Sequence, residues 1–357
     1  MDSEHTLVMV FASPEYLDQP AALWELFAAY PQSKIVGCST AGEIMGPLVN
    51  DTSLSVAVMQ FERSKVELAT AEIEQAESSF AVGAELAQRL NSRQLSAVFI
   101  LSDGLHVNGS ELVKGFNSVL PPGVIMTGGL AGDGDRFERT WVISNRRPVS
   151  GTVTAVGLYG KRLRVTHGSQ GGWDSFGPER RVTRSEGNVL YELDGKPALD
   201  LYREYLGDRA ADLPATGLLF PLSIRRDAKD AQQLVRTILA VDEEKQSMTF
   251  AGDVPKDWMA QLMRANFDRL VNGASAAADQ ARYKAGNEPA LAVAISCVGR
   301  RLVLGERVEE ETEITLEHLP AGVAQIGFYS YGEISPCPGG ASDLHNQTMT
   351  LTTIAEI

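Results

Sequence analysis

Three carboxylates directly follow a glycine at the end of an apolar run: Gly42-Glu43, Gly132-Asp133 and Gly332-Glu333. A glycine turn exposes main-chain N–H groups and lets a ligand approach closely. If the turns bind a ligand, its ammonium or hydroxyl groups would be held by nearby side chains: Ser39, Thr40, Glu43, Asp133 and Glu333. The alternative is structural, with each glycine at positive φ in a tight turn that the carboxylate caps. None of the turns has GxGxxG or GxxxxGK[ST] spacing, so nucleotide binding is not indicated.

A second set of reactive side chains surrounds His167, in the segment between the two halves of the chain. Glycines flank this histidine, and Trp173, Phe176, Arg180 and Arg181 follow it. The imidazole is a potential metal ligand, the rings are potential walls, and arginine forks match the carboxylates of a ligand. The alternative is a loop histidine beside a solvated strand edge.

His106 lies in the loop after another apolar run, at the carboxyl end of a strand, where open α/β sheets bind ligands. The polar loop with Ser102 and Asp103 suits an amino-acid-like ligand better than a large apolar cofactor. These residues also supply the groups of a nucleophile, an orienting acid and a base. Such close spacing rarely gives the required geometry, and the chain has no GxSxG turn. We therefore expect a binding protein and not an enzyme.

Three copies of one unit position these residues. Each copy has two apolar runs, and the second run ends in the glycine turn: residues 7–12 with 35–44, 97–102 with 124–133, and 292–297 with 323–334. Helical spacing connects the runs of the first two copies, and further helices are predicted over residues 82–90 and 259–270. Strand-helix-strand connections favour parallel neighbours, and alternating segments after the turns add further strands. The predicted fold is α/β, with layered mixed sheets built from repeated strand-helix-strand units.

The composition of the chain argues against several classes of function. The net charge of −14 disfavours nucleic acid and anionic membrane surfaces as partners. No apolar run is long enough to span a membrane, and the N-terminus lacks the basic start of a signal peptide, so we expect a cytoplasmic protein. The cysteines, Cys38, Cys297 and Cys337, show no CxxC or CxxCH spacing, which argues against a zinc site or covalent haem attachment.

Several motifs, in order along the chain, resemble those of the FIST domain in both its N-terminal and C-terminal parts. They are residues 37–44 (GCSTAGEI), 102–105 (SDGL), 108–109 (NG), 128–133 (GGLAGD), 193–198 (LDGKPA), 331–334 (YGEI) and 346–348 (NQT). The resemblance covers nearly the whole chain and implies two domains, an N-terminal part over residues 1–190 and a C-terminal part over residues 191–357.

The resemblance also implies a function. FIST proteins are sensory, ligand-binding modules of signal transduction, and this chain is most similar to the haem-binding, nitric-oxide-sensing members that act on a partner histidine kinase. The alternative is a module that binds an amino acid or a similar small molecule, and its expected ligand residues are Ser39, Thr40, Glu43, Asp103, Gly132, Asp133, Tyr331 and Glu333.

A haem b pocket needs an axial ligand, apolar walls and cations near the propionates. His167 is the first candidate for the iron ligand, because Trp173, Phe176, Arg180 and Arg181 follow it. His106 is the second candidate. Tyr329, Tyr331 and Cys38 lie at the glycine turns and remain alternative ligands, because sequence spacing does not choose among them.

Overall fold

The computed structural model describes residues 1–213, 215–227, 229–230, 233–282, 289–337 and 340–357. Three mixed sheets with helices on their outer faces form one body, and a smaller antiparallel domain is inserted between residues 174 and 264. The predicted α/β class and its mixed sheets are confirmed.

The first copy forms the unit that the sequence predicts. Its elements are β1 (Thr6–Ala12), α1 (Ala21–Ala29), β2 (Lys34–Ser39), β3 (Glu43–Met45), β4 (Leu48–Asn50) and β5 (Leu54–Gln60). Strands β1 and β2 are parallel, β3 and β4 form a hairpin, and β5 returns antiparallel to β1.

The second copy repeats this order, with an extra strand and helix before it and an extra strand after it. Its elements are β6 (Lys65–Glu72), α2 (Ser79–Leu90), β7 (Leu95–Ser102), α3 (Gly109–Asn117), β8 (Ile125–Leu130), β9 (Val142–Ser144), β10 (Arg147–Val149), β11 (Thr152–Tyr159) and β12 (Leu163–Gln170). Strands β7 and β8 are parallel, and β11 is antiparallel to β7. Helix α3 begins where predicted, because the Asn108 side chain accepts the main-chain N–H of Glu111.

The inserted domain has its own apolar core and one antiparallel sheet. Its elements are β13 (Asp174–Glu186), β14 (Val189–Leu193), β15 (Lys196–Pro197), α4 (Ala198–Leu206), β16 (Leu222–Arg225), β17 (Leu234–Arg236), β18 (Ile238–Asp242), β19 (Ser247–Phe250) and β20 (Met259–Arg264). The domain boundary predicted between residues 190 and 191 falls inside β14, whose neighbours β13 and β19 lie on either side.

The predicted start of one helix is wrong. Residues Met259 to Arg264 form the strand β20, which pairs with β13 and β16 and alternately buries Ala260 and Leu262 in the domain core. The helical pattern of residues 259–270 therefore joins a strand to the start of a helix. That helix begins at Phe267, where the Asn266 side chain caps it.

The third copy returns to the main body. Its elements are α5 (Phe267–Ala281), β21 (Ala290–Cys297), α6 (Val298–Leu304), α7 (Val308–His318), β22 (Ala324–Ser330), β23 (Gly332–Pro336), β24 (Ser342–His345) and β25 (Met349–Glu356). Strands β21 and β22 are parallel, and β25 is antiparallel to β21.

The copies exchange hairpins in a closed cycle. The first sheet has the order β10-β9-β2-β1-β5, the second β24-β23-β8-β7-β11-β6, and the third β4-β3-β22-β21-β25-β12. The hairpin of the first copy thus completes the third sheet, that of the third copy completes the second, and that of the second copy completes the first.

The inner faces of the three sheets share one apolar core. Phe11 of β1 stacks on Phe328 of β22 at 4.7 Å between ring centres, and Phe99 and Leu101 of β7 belong to the same cluster. Helix α1 covers the outer face of the first sheet, while α2, α3 and α5 contribute to the outer core of the other two.

Candidate functional site

The three glycine turns meet at one place. Main-chain hydrogen bonds link each turn to a neighbouring copy: Ala41 to Tyr329 (2.8 Å), Tyr331 to Leu130 (3.2 Å) and Gly132 to Ser39 (3.1 Å). Each residue named first donates its N–H to the carbonyl of the second. The three turns, which the sequence predicts to be equivalent, are therefore also neighbours in space.

The positive φ predicted for the turn glycines occurs at only one of them. Gly42 has φ +132°, whereas Gly132 and Gly332 lie outside the positive-φ region. At Gly132 the reason for glycine is space, because an added Cβ would lie 3.0 Å from the main-chain nitrogen of Ala41. Gly332 opens β23, and Glu43 and Glu333 lie within strands and not in turns.

Glu43 and Glu333 are buried and hold their turns in the same way. Glu43 accepts the hydroxyl of Thr40 with one carboxylate oxygen, and the main-chain N–H (3.0 Å) and hydroxyl (2.6 Å) of Ser53 with the other. Glu333 does the same with Ser330 and Thr348. Burial raises the pKa of both carboxyl groups, that of Glu333 to about 8.

Asp133 caps a loop. It accepts the main-chain N–H groups of Phe137, Glu138 and Arg139 at 2.8–2.9 Å, and the hydroxyl of Tyr331 donates to the same carboxylate. Burial, followed by this bond to Asp133, raises the pKa of Tyr331 well above its usual value. The ring of Phe137 stacks on Tyr331 at 4.4 Å.

Asp103, at the other strand end of the same copy, also caps a loop. It accepts the main-chain N–H groups of Leu105, His106 and Gly151, and the Nδ1 of His106 lies 3.0 Å from the same carboxylate. The buried hydroxyl of Ser102 donates to the main-chain carbonyl of Asp103. Ser102 and His106 are therefore not joined by the hydrogen bond that a nucleophile and its general base would share.

The residues predicted to bind an amino-acid-like ligand are thus brought together only in part, and they are already bonded within the chain. The carboxylates of Glu43, Asp103, Asp133 and Glu333 each accept two or more hydrogen bonds from the protein. A ligand at these turns would have to replace those bonds.

A cavity of about 480 Å³ lies beside His167. It is bounded by the end of β12 and the segment after it, by β17, β20 and α5, and by Pro336, Cys337, His345 and Thr348. The described lining residues are His167, Ser169, Gln170, Gly171, Gly172, Trp173, Gln233, Val235, Met263, Gln280, Pro336, Cys337, His345 and Thr348. No Asp, Glu, Lys or Arg is among them, so the described lining is uncharged when both histidines are neutral.

The imidazole of His167 makes no hydrogen bond to any described residue, although it is half-buried. Burial lowers its pKa below the ordinary value of 6.5. The ring is therefore neutral near pH 7 and offers an unshared electron pair to the cavity.

Three further residues shape the cavity. Trp173 donates its indole N–H to the main-chain carbonyl of Gln347 at 2.8 Å, which fixes that wall. His345 has a ring nitrogen 3.2 Å from the carbonyl of Ser335 and 3.8 Å from the sulfur of Cys337. Burial also lowers the pKa of His345.

A buried ion pair supports the cavity from behind. The guanidinium of Arg300 donates to Glu311 at 2.6 Å and 2.8 Å, and also to the carbonyls of Gly171 and Leu270. Both side chains are fully buried. Because Gly171 lines the cavity, this pair holds the segment that carries Trp173.

The other residues predicted for a cofactor pocket lie elsewhere. Phe176 packs in the core of the inserted domain against Phe220. Arg180 donates to the hydroxyl of Tyr205 and pairs with Asp194. Arg181 and His106 do not line the cavity either. Arg180 is thus held by partners in the inserted domain, and only His167 and Trp173 of the predicted set meet at the cavity.

Sequence reasoning missed part of the cavity: Gln233, Met263, Gln280, Cys337 and His345. The signal that might have found His345 is its place beside the motif at residues 346–348, just before β25. Strand β25 pairs with β12 and places Thr352 opposite His167. No local pattern reveals the contributions of β17, β20 and α5.

No helix in the described part of the chain is both long and apolar enough to cross a membrane. Nor do the described His, Cys, Asp and Glu side chains form a group of three or more that could hold a metal ion. Cys38, Cys297 and Cys337 are buried, and none forms a disulfide.

Two family models match adjoining parts of the chain. The FIST N domain model matches residues 6–196, and the FIST C domain model matches residues 198–336. The cavity is lined from both matched regions and from residues beyond the second.

Similar proteins occur in mycobacteria and in an archaeon. An uncharacterized protein of Mycobacterium tuberculosis is 26% identical over 268 residues, which cover 72% of this chain and 67% of that protein. An uncharacterized protein of Mycobacterium bovis is 26% identical over 270 residues, with the same coverage. An uncharacterized protein of Methanocaldococcus jannaschii is 23% identical over 327 residues, which cover 85% of this chain but 60% of that protein.

Proposed function

The chain belongs to the FIST family, whose domains act as sensors in signal transduction, and we propose that it binds haem b at His167 and reports nitric oxide to a partner histidine kinase in the cytoplasm. The observation that supports this proposal is the His167 imidazole, which is half-buried, neutral and without a hydrogen-bond partner among the described residues, at a cavity of about 480 Å³.

The chemistry of the lining favours this ligand over an amino acid. An amino acid carries an ammonium and a carboxylate, and burying either charge without a partner is costly. No charged side chain of the described lining would pair with them. A neutral imidazole is instead a common axial ligand of haem iron.

A bare metal ion fits less well than a haem. Protein metal sites of high affinity use several side-chain ligands, and the described residues provide no such group here. A porphyrin supplies its own nitrogen ligands, so that one protein imidazole suffices.

The lining residues fit the axial ligand and the walls of a haem site. His167 would hold the iron, and Trp173, Val235 and Met263 would provide apolar contacts. When bound, haem supplies an iron that coordinates nitric oxide. The arginines that the sequence suggested for the propionates are not in the described lining.

Thr348 offers a route by which ligand binding would alter the fold. It lines the cavity and also donates its main-chain N–H (3.2 Å) and hydroxyl (2.8 Å) to Glu333, which follows the turn glycine of the third copy. A ligand that moves Thr348 would disturb the point at which the three copies meet. We propose that the kinase reads this change, and that the protein binds and does not catalyse.

The test is haem loading with matched histidine variants. The purified protein, titrated with haemin, should develop a Soret band that shifts with nitric oxide. His167→Ala should abolish or greatly weaken that band while thermal unfolding is unchanged, and His106→Ala, outside the cavity, should leave it intact. A protein that stays colourless would contradict the haem proposal and favour the module for an amino acid or similar small molecule. A Soret band that survives His167→Ala would show that a residue other than His167 is the iron ligand.

A further inference from the structure

The three sheets differ at one end. In the second sheet the return strand β11 is followed by an outer antiparallel strand, β6, and in the third sheet β25 is followed by β12. The first sheet ends at its own return strand, β5, with no outer strand among the described residues. The position that two copies fill with an eight-residue strand thus has no counterpart beside β5.

The open edge of β5 carries unpaired main-chain groups. Hydrogen bonds at the two ends of the β1–β5 ladder show which residues of β5 face β1. Phe61 donates its main-chain N–H to the carbonyl of His5, and Ser13 donates its main-chain N–H to the carbonyl of Ser53. In an antiparallel pair, alternate residues face the neighbour and the others face away. Four residues therefore direct their N–H and C=O groups to the open side: Leu54, Val56, Val58 and Gln60. None of these groups hydrogen-bonds to a described residue outside the strand.

The edge lacks the usual protection against pairing. Exposed edge strands are commonly guarded by charged side chains or proline. Strand β6 carries Lys65, Glu67 and Glu72, and β12 carries Arg164. Strand β5, with the sequence LSVAVMQ, has neither charge nor proline.

A cleft of about 670 Å³ runs along this edge. Residues 56–63 line one side, and the opposite side is formed by the third sheet, including Met45 of β3 and Ile326 of β22. Strands in a sheet lie ~4.8 Å apart, packed sheets lie ~10 Å apart, and a strand rises ~3.3 Å per residue. The product of these spacings gives roughly 160 Å³ for one residue of a strand. The cleft therefore has room for about four residues of a single strand. A second copy of this chain would bring its own β5 into the cleft together with the neighbouring β1. The cleft is too small for two strands.

We propose that β5 is a docking site for one extended segment of a partner protein, which adds to the first sheet as an antiparallel outer strand. The segment is apolar at alternate residues, as β6 and β12 are towards the core. The end of the cleft that would meet its N-terminal residues carries Arg63 and Arg162 together with the carboxylates of Glu62 and Glu356, so the segment needs no charge there. This surface is separate from the His167 cavity and does not depend on the ligand proposed there.

The test uses a defined peptide and two matched proline variants. The probe is an N-acetylated heptapeptide of alternating valine and threonine, and its binding is measured by calorimetry. Val58→Pro removes an N–H that faces the open side and should weaken binding at least about tenfold. Leu68→Pro makes the same change on the open edge of β6 and should leave affinity unchanged. Thermal unfolding checks that both variants are folded.

A second probe tests the edge without altering the protein. The same peptide, N-methylated at alternate residues along one edge, keeps its side chains but loses those donors, and it should not bind. The proposal is overturned if the probe fails to bind at about 1 mM, or binds equally to the Val58→Pro protein. It is also overturned if ultracentrifugation shows a dimer that Val58→Pro dissociates, since the occupant would then be a second copy.

Discussion

Glu333 accepts both the main-chain N–H and the hydroxyl of Thr348, and Thr348 also lines the His167 cavity. One threonine therefore contacts both the buried carboxyl group at the start of β23 and the candidate ligand site. The protonation of Glu333 and the occupancy of the cavity act on the same short segment between β24 and β25.

Glu333→Gln should change the pH dependence of stability. Burial raises the pKa of Glu333 from 4.5 to about 8 in the folded protein. The stabilisation from the protonated group is complete below the unfolded pKa and is lost as the pH rises through the folded one. The free energy of unfolding of the wild type should therefore fall, relative to that of Glu333→Gln, between about pH 5 and 8, by a few kcal/mol. Urea unfolding at several pH values measures this difference.

Glu77→Gln, at an exposed residue, is the control for that series and should track the wild type throughout. A difference between wild type and Glu333→Gln that is flat over this range would show that Glu333 is ionised in the folded protein.

Ligand binding at His167 should be lost in acid. Burial lowers the pKa of this imidazole below 6.5, so the neutral form persists to lower pH than in an exposed histidine. A ligand held by the unprotonated nitrogen competes with a proton for it. Haem affinity should be constant from about pH 8 to 6.5 and should fall only at lower pH, as measured by haemin titration. A decline that begins above pH 7 would contradict the neutral imidazole.

The buried pair Arg300 and Glu311 should show strong coupling. Arg300→Met or Glu311→Leu alone leaves a buried charge without its partner and should cost about 3–5 kcal/mol. The double variant should cost clearly less than the sum of the two, as a double-mutant cycle of urea unfolding would show. Lys65→Ala, which removes an exposed ion pair with Glu67, should change stability by less than about 1 kcal/mol. Additive costs at Arg300 and Glu311 would mean that the two side chains act independently.

Gly132→Val should destabilise the protein by a few kcal/mol, because a Cβ there would lie 3.0 Å from the nitrogen and 3.1 Å from the Cβ of Ala41. Gly134→Ala is the comparison. Its φ is +78° and its Cβ would meet no atom within 4 Å, so only backbone strain of about 1–2 kcal/mol is expected. Melting curves of both variants decide whether the meeting point of the copies is tightly packed.

The repeated unit could be predicted because its signals are local. Apolar runs, helical spacing and a glycine at each turn specify the parallel pairs β1–β2, β7–β8 and β21–β22. Strand β20 was mistaken for a helix because Met259, Leu262 and Met263 also fit helical spacing, and only pairing with β13 and β16 decides between the two.

The candidate site was only partly predictable, because its walls come from distant segments. His167 and Trp173 are close in sequence and were found together. His345 ends β24, and it reaches the cavity through the pairing of that strand with β23, which no local pattern encodes. Arg180 was misplaced because nearness along β13 suggested a shared pocket, whereas the strand leads into the inserted domain, where Tyr205 and Asp194 bind this side chain.

The cyclic exchange of hairpins has a consequence for the order of folding during synthesis. Strand β3 is made among the first residues but pairs with β22, some three-quarters of the chain later. The first hairpin must therefore leave the ribosome without its partner, and the third sheet closes only after the C-terminal copy has emerged. Such long-range pairing slows folding. A nascent chain that stops before β22 has an unpaired hairpin, so chaperones and proteases should recognise truncated forms of this protein most readily at that early segment.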